Sequence, residues 1–262
     1  MRGGAQSHLM RCSDGNYYVV KFVNNPQGRR ILANELLAAR LAQRLGLPVA
    51  DPAIVEVSQE LIDLTSDLVM ELARSRVPCR AGRCFGSRYP IHPRSQVFEN
   101  MLPSSLQARV LNEDTFLGML IFDLWTCNTD GRQVIFLRRP AEAGYTAMMI
   151  DQGFCFNGVE WNFPDSPLRG LYCHKSVYDC VRGMDQFEPW LNLLDRKIDG
   201  QTILRAAKDI PTDWYESDHE SLARLVQMLD RRRSRVRELL RSARQSNTSP
   251  FANWPRELTR FA

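Results

Sequence analysis

Residues 112 to 153 constrain the fold more than any other stretch, because they spell out a helix, a polar loop, a hairpin and an acidic turn in that order. Asn112-Glu113-Asp114-Thr115 opens the helix, with Asn112 as the expected N-cap and two acidic residues in the first turn. Phe116, Leu117, Leu120, Ile121, Leu124 and Trp125 then recur at helical spacing. The helix ends in Cys127-Asn128-Thr129-Asp130-Gly131-Arg132-Gln133. A strand, Val134 to Leu137, follows at once, and after a loop a second apolar strand, Ala147 to Ile150, runs into Asp151-Gln152-Gly153-Phe154. Either aspartate alone is most often a turn residue. Together they put two carboxylates and an amide at the mouths of neighbouring strands, the set that phosphoryl transfer requires. One Asp positions and deprotonates the acceptor hydroxyl, while a second Asp and an amide oxygen hold Mg²⁺ against the phosphates.

A cation for those phosphates stands upstream. The chain holds four lysines against thirty arginines, and Lys21 closes the apolar run Tyr17-Tyr18-Val19-Val20-Lys21-Phe22-Val23. A compact ammonium on a flexible stem suits phosphate better than a wide guanidinium fork. Taken alone, a strand lysine more often lays its stem along the sheet and sends its amine to water. Asn24-Asn25-Pro26-Gln27-Gly28 breaks the strand, and Arg29 to Leu45 reads as a helix closed by Gly46 and Pro48, with Glu35 inside it. A strand lysine paired to an acidic residue of the next helix is the arrangement that holds lysine on nucleotide phosphates in kinases. Ahead of the strand, Gly3-Gly4-Ala5-Gln6-Ser7-His8 opens with two glycines whose backbone N–H groups can approach an anion, although it fits neither a Walker loop nor G-x-G-x-x-G.

These residues resemble the HipA-like kinases, a distant branch of the protein-kinase and lipid-kinase superfamily. The likeness rests on Gly3 to Leu9, on Tyr18-Val19-Val20-Lys21-Phe22 with Leu32-Ala33-Asn34-Glu35, on Leu45 to Val49, and on Phe85-Gly86-Ser87-Arg88. It continues through Asp123-Leu124-Trp125, Asn128 to Gln133 and Ile150-Asp151-Gln152-Gly153, and includes Ile210 to Trp214. The resemblance implies an α+β, two-lobed protein-kinase-like fold with a small sheet-containing N-lobe and a largely helical C-lobe. It implies an ATP- and Mg²⁺-dependent enzyme whose acceptor is a Ser or Thr hydroxyl on an unidentified protein. By the same likeness, Gly3, Gly4, Ser7, Lys21 and Glu35 bind the nucleotide, with Glu35 fixing Lys21. Asp130 is then the catalytic base beside Lys21, and Asp151 the principal metal ligand.

The chain departs from the family pattern after Asp130, where Gly131-Arg132-Gln133 replaces the His and the later metal-binding Asn. Gln133 is expected to serve as the second metal ligand. A competing register exists, because Asp123 and Asn128 stand five apart as in a kinase D-x-x-x-x-N loop. Asp123 lies inside the apolar helix, so a bracing carboxylate is its expected role. Few residues precede Gly3, so a strand ahead of the glycines is expected to be short or absent. Two other readings stay open: a pseudokinase that binds nucleotide and regulates a partner, and an Arg-rich nucleic-acid-binding module.

With 44% apolar residues in 262, the chain can bury a full core. Its net charge of +4 is mild. No apolar run is long enough for a membrane helix and no secretion leader is present, so no membrane partner is expected and the cytoplasm is the expected location. Seven scattered cysteines argue against a disulfide framework, and Cys79 and Cys84 lack the second pair that a zinc site needs. The expected organisation is an N-lobe over 1–72, an Arg-rich connecting segment over 73–112 and a C-lobe over 113–262. In the first part a strand, Ala53 to Val57, precedes an amphipathic helix from a Ser58 cap through Leu61, Leu64, Leu68 and Leu72. Arg74 to Arg94 reads as a loop, placed either to fold over phosphates or to meet an acidic partner, with Gly86-Ser87-Arg88 its most telling part. The C-lobe is expected to end in one long amphipathic helix over Leu222 to Leu240. Its Asp230-Arg231-Arg232-Arg233-Ser234-Arg235 segment is basic enough to touch nucleic acid, but such runs are more often solvated faces. Without interleaved aromatic residues, nucleic-acid binding is not expected.

Overall fold

The computed structural model of this protein describes residues 4–90 and 95–255. Strands β1 (His8–Arg11) and β2 (Tyr17–Lys21) form an antiparallel hairpin, and helix α1 (Arg30–Leu45) follows, closed by Gly46 in the left-handed conformation at φ 81°. Strand β3 (Pro52–Val57) leads into a six-residue helix α2 (Gln59–Leu64), whose N-cap Ser58 hydroxyl accepts from the Leu61 N–H. A small ribbon of β4 (Val69–Leu72) and β5 (Ser75–Pro78) then precedes β6 (Gly82–Arg88). The first sheet runs in the order β1-β2-β6-β3.

Two expectations for this region are corrected. The helix capped by Ser58 stops at Leu64, with Leu68 and Leu72 continuing as turn and strand. Leu61 and Leu64 are 40% and 78% exposed and Ile62 is the buried residue of this helix, so the leucine spacing does not mark a buried helical face. The Arg74 to Arg94 stretch is no loop, since β6 pairs with β2 on one side and β3 on the other. Gly86 belongs in that strand because a Cβ there would meet Val55 Cγ2 at 2.5 Å. Arg94 lies outside the described residues.

The second sheet joins β7 (Gln96–Glu99), β8 (Gln133–Arg138) and β9 (Thr146–Ile150) in that order, all antiparallel. Helix α3 (Thr115–Thr126) enters it, buried at every one of its twelve positions. A helix apolar on all sides is stable only inside a core. Asn112 is not its cap. The Asn112 side chain instead bonds both backbone groups of Ala147, donating to O at 2.9 Å and accepting from N at 2.8 Å, which ties the helix entry to β9. Beyond β9 come α4 (Glu188–Lys197), α5 (Gly200–Ala207), α6 (His219–Arg232) and α7 (Val236–Gln245). The expected single long helix is broken between α6 and α7 by a tighter turn over Arg233–Arg235.

Helix α1 is buried on several sides because it packs between the first sheet and the helical part, touching β3, β6, α4 and α5. Its leucines and alanines join the large core around α3, whereas Val20, Phe22, Val57, Ile62, Met70 and Cys84 make a separate small core under the first sheet. No described helix is long and apolar enough to cross a membrane.

Candidate active site

Between the two sheets lies a cleft of about 490 Å³, and Lys21 and Asp151 meet in it. Lys21 ends β2 with only 6% of its surface exposed. Its ammonium donates to Glu35 Oε1 of α1 and, at 2.8 Å, to Asp151 Oδ1 just past β9. The other Glu35 oxygen accepts from the Gln152 N–H at 2.9 Å, so the carboxylate grips the lysine and the acidic turn at once. Burial would lower the Lys21 pKa, but Glu35 and Asp151 outweigh it and hold the ammonium above its ordinary value. At Asp151 burial pulls upward, and the Lys21 charge with its hydrogen bond overcomes it, leaving the carboxyl below its usual range. Both groups are ionised at neutral pH.

The turn that carries Asp151 is over-determined. Asp151 sits at φ 55°, a conformation that Asp tolerates better than most residues. A Cβ on Gly153 would approach Ile31 Cγ2 to 2.7 Å and Glu35 Oε1 to 3.3 Å, so only glycine lets the turn lie against α1. Asn34, fully buried, donates to the carbonyls of Gly153, Cys155 and Gly158 and accepts from Trp161 Nε1 at 2.7 Å. The sequence marks Asn34 only as part of the family likeness and gives it no role, although an Asn on the buried face of an apolar helix, beside Glu35, is a visible signal.

Arg132 is the second residue missed. Its guanidinium is buried and binds Asp123 through Nε at 2.9 Å and through Nη2, Gln152 Oε1 at 2.6 Å and Ile150 O at 3.1 Å. Asn128 adds a bond to Asp123 Oδ1 at 3.0 Å. Asp123 therefore points into the core with its charge answered by Arg132, and it does not line the cleft. Arg132 joins the loop after α3 to the Asp151 turn.

Asp130 is exposed at the edge of the site, where its Oδ1 accepts from the Gly131 N–H at 2.8 Å and its Oδ2 from Gln133 Nε2 at 3.4 Å. Gln133, the first residue of β8, lines the cleft with Gly4, Ser7, Glu35 and Asp151. Gly3 falls outside the described residues. Arg88 also lines the cleft, bonded to Asn16 at 3.0 Å. Asn100, unremarked in the sequence, caps the edge of β8 by accepting from Val134 N at 3.0 Å and donating its own N–H to Val134 O at 2.8 Å.

The donors suit a hard cation. Mg²⁺ takes oxygen ligands and typically one or two protein carboxylates, completing its shell with phosphate and water. Asp151 and the Gln133 amide oxygen, which both line the cleft, could supply that sparse set. Among the described residues no denser group of His, Cys, Asp and Glu gathers.

Three of the four arginines in the basic segment of the C-terminal helices, Arg232, Arg233 and Arg235, are paired internally. Arg232 is buried, bonded to Leu124 O at 3.0 Å and to Asp165; Arg233 pairs with Asp230, and Arg235 with Asp165 and Glu238. The Ile210 to Trp214 motif docks on β6, with Trp214 Nε1 donating to Arg83 O at 2.8 Å.

A small antiparallel sheet and a buried helix over a helical lobe, with a Lys–Glu pair and an acidic turn in the cleft between them, define a kinase-like fold. Solved structures share it. The chain is similar to the Helicobacter pylori proinflammatory kinase CtkA, with TM-score 0.55 and 14% identity over 91% of this chain and 94% of that one. It is also similar to hydra Fam20, with TM-score 0.53 and 12% identity over 92% and 82%. For HipA of the Shewanella oneidensis toxin–antitoxin system, solved with HipB and operator DNA, the values are 0.52 and 15% over 91% and 66%. No curated protein matches in sequence. The model of the HipA-like kinase family matches residues 1–137, over half of the chain, and the protein belongs to that family. Its class is that of a kinase-like phosphotransferase.

Proposed function

We propose that the protein transfers the terminal phosphoryl group of ATP, with Mg²⁺, to a Ser or Thr hydroxyl on another protein in the cytoplasm. The carrying observation is Lys21, bonded at once to Glu35 and Asp151 inside the cleft. In this reading Lys21 presents a fixed positive charge to the phosphates and Glu35 holds it in place. Gly4 and Ser7 border the same space from the turn before β1. Asp151 and Gln133 would hold Mg²⁺, which when bound neutralises phosphate charge. Asp130, exposed at the rim, accepts the proton of the acceptor hydroxyl as the oxygen attacks. Its tie to Gln133 keeps base and metal ligand together.

A pseudokinase is the second reading, favoured by the lack of the family Asn after Asp130. Incubation with radiolabelled ATP and Mg²⁺, alone and with generic protein substrates, separates the two. Transfer that is lost in Asp130→Asn supports catalysis; Mg²⁺-independent ATP binding with no transfer supports the pseudokinase.

A further inference from the structure

A second cavity, of about 430 Å³, opens on the face of the second sheet opposite the ATP cleft. The alternation of β8 separates them: Gln133 and Ile135 line the cleft, while Phe136 lines this cavity. Its wall is built from Leu102, Phe116, Leu117, Phe136, Tyr172 and Val177. Phe116 and Tyr172 stack with ring centroids 4.9 Å apart, which gives the cavity a firm aromatic floor. Met101 at its edge is 59% exposed.

The charge at the mouth is one-sided. Glu113 and Asp114 line it, both exposed, and among the described residues neither carboxylate forms an ion pair. No Lys or Arg lines the cavity, in a chain with 34 basic and 30 acidic residues. The two carboxylates sit at the start of α3, next to the apolar wall, so one ligand can touch both. An apolar hole with an unanswered acidic rim fits a large apolar side chain next to Lys or Arg.

We propose that this cavity docks the acceptor protein through an exposed segment that carries a bulky apolar side chain flanked by basic residues. The proposal rests on the protein-kinase reading and adds to it the kind of acceptor recognised. The docking segment binds on the far side of the sheet from the phosphoryl-transfer cleft, so it is a separate stretch of the acceptor from the hydroxyl that reacts. Tyr172 links the two places, because its ring lines the cavity and its hydroxyl donates to the carbonyl of Asn100, a cleft residue.

The test uses fluorescence anisotropy with the full chain and three labelled peptides: one alternating arginine with phenylalanine, one with glutamate in place of arginine, and one with alanine in place of phenylalanine. The first is expected to bind, the alanine peptide at least about tenfold more weakly, as loss of one buried ring predicts, and the glutamate peptide roughly two- to thirtyfold more weakly, as loss of two surface ion pairs predicts. The double variant Glu113→Gln/Asp114→Asn should weaken the first peptide by a similar factor. Cys180→Trp, which fills the mouth from an exposed position, should abolish its binding. ATP-induced thermal stabilisation should be unchanged in both variants, which separates a failure here from a failure of the kinase reading. Equal binding of all three peptides, equal binding by wild type and variants, or no binding of the first peptide at millimolar concentration would overturn the proposal.

Discussion

Exchanging Asp123 or Asp130 for Asn separates bracing from catalysis, because the two carboxylates stand seven residues apart in opposite environments. Asp123 is 1% exposed and receives two bonds from Arg132 and one from Asn128. Asp123→Asn keeps the shape but removes the charge, leaving a buried guanidinium uncompensated at a cost of about 3–5 kcal/mol. At about 2–4 °C per kcal/mol for a chain of this size, the melting temperature should fall by roughly 6–20 °C. Asp130 is exposed, with one local bond to Gly131 N and a 3.4 Å contact to Gln133. Asp130→Asn should stay within about 0.5 kcal/mol of wild type, or roughly 2 °C. Loss of a general base should lower transfer by about 10²–10⁴-fold. Differential scanning fluorimetry and radiolabelled transfer well below the melting point measure both effects. A stable Asp123→Asn that cannot transfer, beside an active Asp130→Asn, would refute the assignment and move the base to Asp123.

Lys21→Met should abolish Mg²⁺-ATP stabilisation, and Lys21→Arg should not restore it, because a guanidinium does not fit between Glu35 and Asp151; intact ATP binding in both would remove Lys21 from phosphate recognition. Asp151→Ala should erase the Mg²⁺-dependent part of that stabilisation, whereas Gln133→Ala should only raise the Mg²⁺ concentration needed, and identical Mg²⁺ titrations for both would deny Asp151 the main metal role. Stability should also depend on pH through Asp151. Its depressed pKa contributes stability above the unfolded value of about 3.9, lost as pH falls through the lower folded value. The gap in melting temperature between wild type and Asp151→Asn should therefore close in acid, and a constant gap down to pH 3 would contradict the ion pair.

Much of this architecture was legible because local pattern and tertiary environment agree. The continuous apolar runs at 134–137 and 147–150 became β8 and β9, and the periodic stretch to Leu45 became α1. Lys21, Glu35 and Asp151, chosen from regions 14 and 130 residues apart, meet in one cluster. Elsewhere tertiary partners overrode local signals. The segment Gly82-Arg83-Cys84-Phe85-Gly86-Ser87-Arg88 has no β-branched residue, and it is a strand because both neighbours pair with it and Gly86 lets Val55 approach. Asn112 has the chemistry of a cap but finds the backbone of Ala147 instead. Arg132 was read only as a gap in the family motif, since a buried Arg is recognisable only when its carboxylate partner, nine residues away across a turn, is seen.

In the proposed function the cleft around Lys21, Glu35 and Asp151 holds a nucleoside triphosphate with its cation. A crystal structure with Mg²⁺ and a non-hydrolysable ATP analogue tests it most directly. The phosphates should lie within hydrogen-bonding distance of the Lys21 ammonium, with Mg²⁺ on an Asp151 oxygen and Asp130 facing the terminal phosphate. A nucleotide bound outside this cleft, or phosphates turned away from Lys21 with no metal at Asp151, would contradict it.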